Sequence, residues 1–196
     1  MDDGTTGTSP SAESLLETVS NLIYREGAHP TGLRAAISDS GVSRKTLHEQ
    51  FGTENMLIEE ALKHRFENRL AEIEERLAEL DDPSERLRAL VEIHAGTVAL
   101  PWFSLCPLVK AAVEQPELDC ARQLAGEFKA RIRDLMMAAG SSAGLEDPAG
   151  LARGLVMLIE GCSIMAYVDD RETAQDDLRR AASKLISSHT PSRSAG

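Results

Sequence analysis

Apolar residues recur three and four positions apart along nearly the whole chain, and no segment alternates apolar and polar residues one by one. The clearest case is Leu57, Ile58, Leu62, Phe66, Leu70, Ile73, Leu77 and Leu80, a single stripe more than twenty residues long. A period near 3.6 lines such residues along one face of a helix, whereas a half-buried strand needs a period of two. Only 4% of residues are aromatic, and Ala, Leu, Glu and Arg fill the helical spacing, which are strong helix formers. The fold class that follows is all-α.

Capping residues divide the stripes. Leu15, Leu16, Val19, Leu22 and Ile23 form a first helix with Ser11 as N-cap, stopped by Gly27 and Pro30. A short helix over 31–39 leads to the turn Ser40-Gly41-Val42-Ser43, and Ser43 caps a second short helix through Gln50. Thr53 caps the long stripe, and Asp82, with Pro83 next and Glu85 three on, opens a helix carrying Leu87, Leu90, Val91 and His94. Two prolines and the lone Trp102 break the pattern over 100–109, where a bend and a short helix are expected. From Pro116 a further helix carries Leu118, Leu124, Phe128, Ile132 and Met136, and is expected to end in a mobile Gly- and Ser-rich stretch over 139–144. Asp147-Pro148 opens the next helix, apolar almost all round over 154–168, and a last helix runs over about 172–187.

This organisation gives a tail over 1–10, a helix-turn-helix domain over 11–55, a helical ligand-binding and dimerisation domain over 56–188, and a tail over 189–196. At 196 residues with 42% hydrophobic positions, the chain is long enough to bury a core. No apolar run is read as approaching the roughly 18 to 20 residues that cross a bilayer, and residues 1–10 are acidic and polar. The expectation is a cytoplasmic protein with no membrane partner. Cys106, Cys120 and Cys162 are odd in number and widely spaced, which fits free thiols and neither a disulfide framework nor a zinc ribbon. His64 and His94 lack Cys or carboxylate partners at ligand spacing, so they read as surface or satisfied histidines. No paired carboxylates, phosphate loop or Ser/His/Asp grouping is visible, and no enzyme activity, catalytic residue, metal or cofactor is expected.

The segment from Gly27 to Ile58 carries the most specific pattern. Gly27, Thr31, Leu33-Arg34, Gly41-Val42-Ser43-Arg44-Lys45-Thr46-Leu47, Phe51 and Leu57-Ile58 stand at the spacing of the N-terminal motif of the TetR family of transcriptional regulators, which this chain resembles. The resemblance implies a helix-turn-helix head, a long linking helix, a divergent helical ligand domain and two final helices that dimerise. A helix enters the major groove when polar residues line its outer face and apolar ones hold it from behind. Leu47 and Phe51 are the holding pair, and Ser43, Arg44, Lys45, Thr46 and His48 the groove- or phosphate-facing set. Arg34, on the preceding helix, stands where the family often contacts a base or a phosphate. The chain departs from the family pattern at His48, Glu49 and Glu54. Over 12–58 four basic residues face six acidic ones, and the whole chain carries a formal charge of −11, which disfavours general affinity for nucleic acid.

In the second half, Phe66, Trp102, Phe103, Cys106, Met136, Met157 and Glu160 are the ligand-binding candidates; for the aromatic and Met positions, plain core is the competing reading. Glu160 stands alone in an apolar run, where an unpaired carboxylate is costly, so it meets either a cationic or hydroxylated ligand or a neighbouring Arg. Leu155, Leu158, Ile159, Cys162, Leu178, Ala182 and Leu185 are the expected dimer interface, since a helix apolar on every side needs a second surface. The function expected is a homodimeric repressor that binds a palindromic double-stranded DNA operator and is released by a small apolar or amphipathic effector. The alternative is a helical dimer acting as a ligand-binding or protein-interaction module with weakened DNA binding.

Overall fold

The computed structural model describes residues 12–26, 38, 43–101, 103, 105–116 and 118–191. Among them are eight α-helices and no strand: α1 (Ala12–Glu26), α2 (Arg44–Phe51), α3 (Glu54–Ala78), α4 (Pro83–Ala99), α5 (Pro107–Glu114), α6 (Asp119–Ser142), α7 (Pro148–Val168) and α8 (Arg171–Ser188). The all-α reading holds. Of the short helix expected over 31–39, Ser38 alone is described, and it is helical; the rest, with Ser11, Gly27, Gly41 and Val42, lies outside the described residues.

The anticipated caps are in place. Ser43 accepts from Thr46 N at 3.1 Å, Thr53 from Met56 N at 3.2 Å, Asp82 from Ser84 N at 2.9 Å and Asp147 from Gly150 N at 2.9 Å. Asp147 does this from a left-handed backbone, φ +40°. Gly150 makes room for it, because a Cβ there would stand 2.0 Å from Asp147 Oδ2. Asp170 caps α8 through Thr173 N at 2.7 Å, so α8 starts one residue earlier than its apolar stripe suggested.

By its internal contacts the chain divides into two compact units, residues 1–66 with 107–124 and residues 67–106 with 125–196. In the first, Leu15, Val19 and Ile23 repeat every four residues along α1 and are buried, as are Leu47, Leu57, Ile58, Leu62, Leu108, Ala111 and Leu118. α1 packs against α5. The sequence division at 55/56 falls inside α3, and the first unit's opening stretch runs to Phe66.

In the second unit α7, α8 and α4 pack on one another pairwise. Leu87, Leu90, Val91, Leu151, Leu155, Ile159 and Leu178 are buried here, with Ile132 and Met136 of α6; a fully buried leucine contributes about 2 kcal/mol. Two glycines set the spacing. Gly154 faces Leu185, whose Cδ2 would lie 2.8 Å from an added Cβ, and Gly140 faces Pro148 and Leu151 at 3.5 and 3.6 Å. That second contact corrects the reading of 139–144 as a loop: α6 continues to Ser142, because Ala139 is buried and Gly140 packs against the start of α7. Glu146 N then donates to His189 O at 2.7 Å, tying the α6–α7 turn to the end of α8.

α7 also corrects the statement about apolar runs. Its 21 residues are long and apolar enough to cross a membrane by composition. Its inner face, Leu151, Ala152, Leu155, Ile159, Cys162 and Ala166, is buried within this unit.

The expected break over 100–109 is present between α4 and α5, with Leu105 at φ +81°. Arg171, at the start of α8, donates to Leu100 O at 2.7 Å, Pro101 O at 3.1 Å and Phe103 O at 3.3 Å. One guanidinium fork thus holds three carbonyls of the bend, of which Leu100 O also accepts from Phe103 N at 2.9 Å.

Candidate functional site

The N-terminal candidates gather on α2. Leu47 is buried and Phe51 half-buried, while Lys45, His48 and Glu49, at i, i+3 and i+4, are exposed. This is the two-faced helix the motif requires. Its side chains also serve the helix itself. The Ser43 and Thr46 hydroxyls bond each other at 2.8 Å besides making the N-cap. His48 Nδ1, in the last turn, donates to Gly52 O at 2.8 Å. Gly52 takes φ +77° as C-cap and its N donates to His48 O, so His48 closes the helix end from both sides. Lys45 Nζ lies 3.8 Å from Glu49 Oε1, with 83% and 62% of the two side chains exposed; such a pair is worth well under about 1 kcal/mol and yields readily to a phosphate. Arg44 opens α2 and Glu54 opens α3. Arg34 lies outside the described residues.

The ligand candidates fall in both units. Phe66 belongs to the first unit and Phe103, Cys106, Met136, Met157 and Glu160 to the second. Phe103 and Met136 are buried in the core, and Cys106 is half-buried. Met157 is 75% exposed and stands on the outer face of α7. Trp102 lies outside the described residues. Glu160 has the partner its setting demands, and it is a lysine rather than an arginine: Lys129 Nζ on α6 donates to Glu160 Oε1. Sequence reasoning missed Lys129 because thirty-one residues separate the two, and no local pattern links them.

His94, read from the sequence as a surface or satisfied histidine, has a backbone partner. Its Nδ1 donates to Leu90 O one turn back at 2.7 Å. Desolvation by the surrounding protein lowers its pKa to about 4, and the charges of Lys129 and Arg69 act in the same direction. The ring is therefore neutral near pH 7. Arg69 is held by Glu72 at 2.9 Å and Thr97 Oγ1 at 2.6 Å.

Of the expected interface residues, Leu155, Ile159, Cys162, Leu178 and Ala182 are buried inside the chain's own core, and the Cys162 thiol donates to Ala174 O at 3.3 Å. They offer no free surface. Leu158 and Leu185 are half-buried. The exposed apolar surface of α7 is Met157, Ile164, Met165, Tyr167 and Val168. Beside it lies a groove of about 270 Å³ between α7 and α8, lined by Leu158, Gly161, Met165 and Ala181 among others. The spacing 157, 161, 164, 165, 168 is a helical stripe that the sequence alone contains.

Among solved structures the fold is similar to a TetR-family transcriptional regulator from Streptomyces coelicolor, at 20% identity and a TM-score of 0.77 over 90% of this chain and 94% of that one. A TetR-type transcriptional regulator from Streptomyces avermitilis is similar at 26% identity and a TM-score of 0.69, over 87% and 97%. A transcriptional regulator from Saccharomonospora viridis, solved in complex with choline, is similar at 24% identity and a TM-score of 0.65, over 88% and 93%. No family model matches the sequence, and no curated protein does. The fold is that of TetR-family transcriptional regulators, and the resemblance read from the motif extends along about 90% of the chain.

Proposed function

We propose that this chain, with the fold of TetR-family transcriptional regulators, is a cytoplasmic DNA-binding regulator that works as a homodimer and responds to a small-molecule effector, most simply as a repressor. The observation that carries the proposal is α2: a helix capped by Ser43, held from behind by Leu47 and presenting Lys45 and His48 outward. Two such helices on a two-fold axis read a palindromic operator, with Arg34, Arg44, Lys45, Thr46 and His48 as the contacting set. The exposed stripe of α7 supports the dimer, since Met157, Ile164, Met165 and Val168 stand ready for a second copy. An effector in the second unit then shifts the heads by preferring one arrangement of the dimer. The choline bound by one structural neighbour supports a small-molecule site of this kind.

A second reading, a helical dimer that binds ligand or protein partners with weakened DNA contact, is favoured by the sharing of Lys45 with Glu49. Selection of fragments from random DNA, followed by footprinting, separates the two. A palindromic consensus is expected, and no enrichment above background promotes the second reading. With the consensus in hand, Lys45→Ala is expected to weaken binding and flatten its salt dependence by about one counterion per subunit.

A further inference from the structure

Arg153, Met157, Gly161, Met165 and Asp169 follow one another at intervals of four along α7, the last as its C-cap, and all five are exposed. Their order is symmetrical about Gly161: a methionine stands four residues to either side, and opposite charges stand eight to either side. Ile164 and Val168, also exposed, widen the apolar middle. Neither the Arg153 guanidinium nor the Asp169 carboxylate has a partner among the described residues. At 1.5 Å per residue they stand about 24 Å apart along the helix, too far to meet within one chain. Gly161 is a second, independent observation. Glycine weakens a helix interior, and the chain's own packing does not require it here, since a Cβ would meet no atom within 4 Å. Gly96 and Gly126 are equally open, but of the three only Gly161 stands in an exposed apolar row.

We propose that two copies of this chain cross α7 on α7 about a two-fold axis through Gly161, so that Arg153 of each meets the partner's Asp169 and Met157 meets the partner's Met165. A two-fold rotation perpendicular to a helix reverses its direction and exchanges positions equidistant from the axis. A row that is its own complement under that exchange fits a second copy. An axis parallel to the helices would set Arg153 on the partner's Arg153 and Asp169 on the partner's Asp169, like charge on like, so charge complementarity selects the antiparallel crossing. Rows of residues four apart are inclined to the helix axis, and two such rows interlock at about −50°. The bare backbone of Gly161 lets the helices approach most closely at the crossing. The charged ends fall on the rim, where salt screens them.

This inference rests on the homodimer reading and adds to it the axis, the register and the ionic contacts. Sedimentation of the full chain at low and high salt tests it, with circular dichroism as the control for folding. Arg153→Glu and Asp169→Arg are each expected to weaken the homodimer about tenfold. Salt is expected to weaken the wild-type dimer and to strengthen that of either variant. The two substitutions together restore wild-type affinity, and an equimolar mixture of the two single variants favours the heterodimer over either homodimer. Gly161→Leu adds bulk that the single chain accommodates, and is expected to keep its helix content while losing the dimer. Single variants that dimerise as the wild type does, a double variant as weak as the singles, or an undisturbed Gly161→Leu dimer overturns the register and leaves the homodimer standing. A wild-type chain that is monomeric at micromolar concentration withdraws both.

Discussion

His94 shows how a single enclosed side chain writes itself into the behaviour of the whole chain. Its folded pKa, about 4, lies below the ordinary 6.5, so the unfolded chain takes up this proton first as pH falls. The stability that the neutral ring provides is complete above pH 6.5 and drains away between 6.5 and 4, by about 3 kcal/mol in all. His94→Gln, which keeps a donor for Leu90 O, is expected to lower the slope of unfolding free energy against pH by about 1.4 kcal/mol per unit over that window. Urea unfolding at half-unit steps from pH 4.5 to 7 measures it, and parallel curves for the two proteins would refute the assignment. From sequence alone His94 reads as a surface or satisfied histidine, and no local pattern foretells how deeply the fold encloses it. Glu160 was half legible: a carboxylate in an apolar run declares that it needs a partner, but the partner's identity depends on how α6 and α7 pack.

Helices and their boundaries were the most legible part of the molecule, because caps and stops are local chemistry. Ser43, Thr53, Asp82 and Asp147 all cap where their spacing placed them. What the sequence hid was contact between distant segments. Gly140 looks like a helix breaker until Pro148 and Leu151 are seen against it, and Leu155 and Ile159 look like interface until α4 and α8 are seen to cover them. Gly154 belongs to the same class. Gly154→Ala gains about 1 kcal/mol of helix propensity, which offsets the crowding of Leu185 Cδ2, so near-neutrality is expected. Gly154→Val forces overpacking and is expected to cost about 2 kcal/mol. In a double-mutant cycle measured by urea unfolding, Leu185→Ala should relieve part of that cost, with a coupling near 1 kcal/mol. Strict additivity would mean that α7 and α8 do not meet at this point.

At the scale of the molecule, the free face of α7 makes a prediction that separates assembly from folding. Met165→Arg adds charge where the side chain is already 49% exposed, and is expected to leave helix content intact while shifting a micromolar dimer to monomer. Ile159→Arg places the same charge in a site 3% exposed and is expected to unfold the chain, since a buried unpaired charge is among the costliest substitutions. Sedimentation with circular dichroism distinguishes the two, and a wild-type chain that sediments as a monomer removes the dimer.

The two compact units trade the backbone back and forth. The chain leaves the first at Phe66, returns at Pro107 and leaves again at Leu124, and α3 and α6 each run unbroken through a crossing point. No single peptide bond, once cut, releases either unit whole. A fragment ending at Phe66 lacks α5, against which α1 packs. The head of this protein is thus not a detachable module that recombination could graft onto another body by joining ends. Inheritance of α2 is tied, through residues 107–124, to inheritance of a segment encoded in the middle of the other unit.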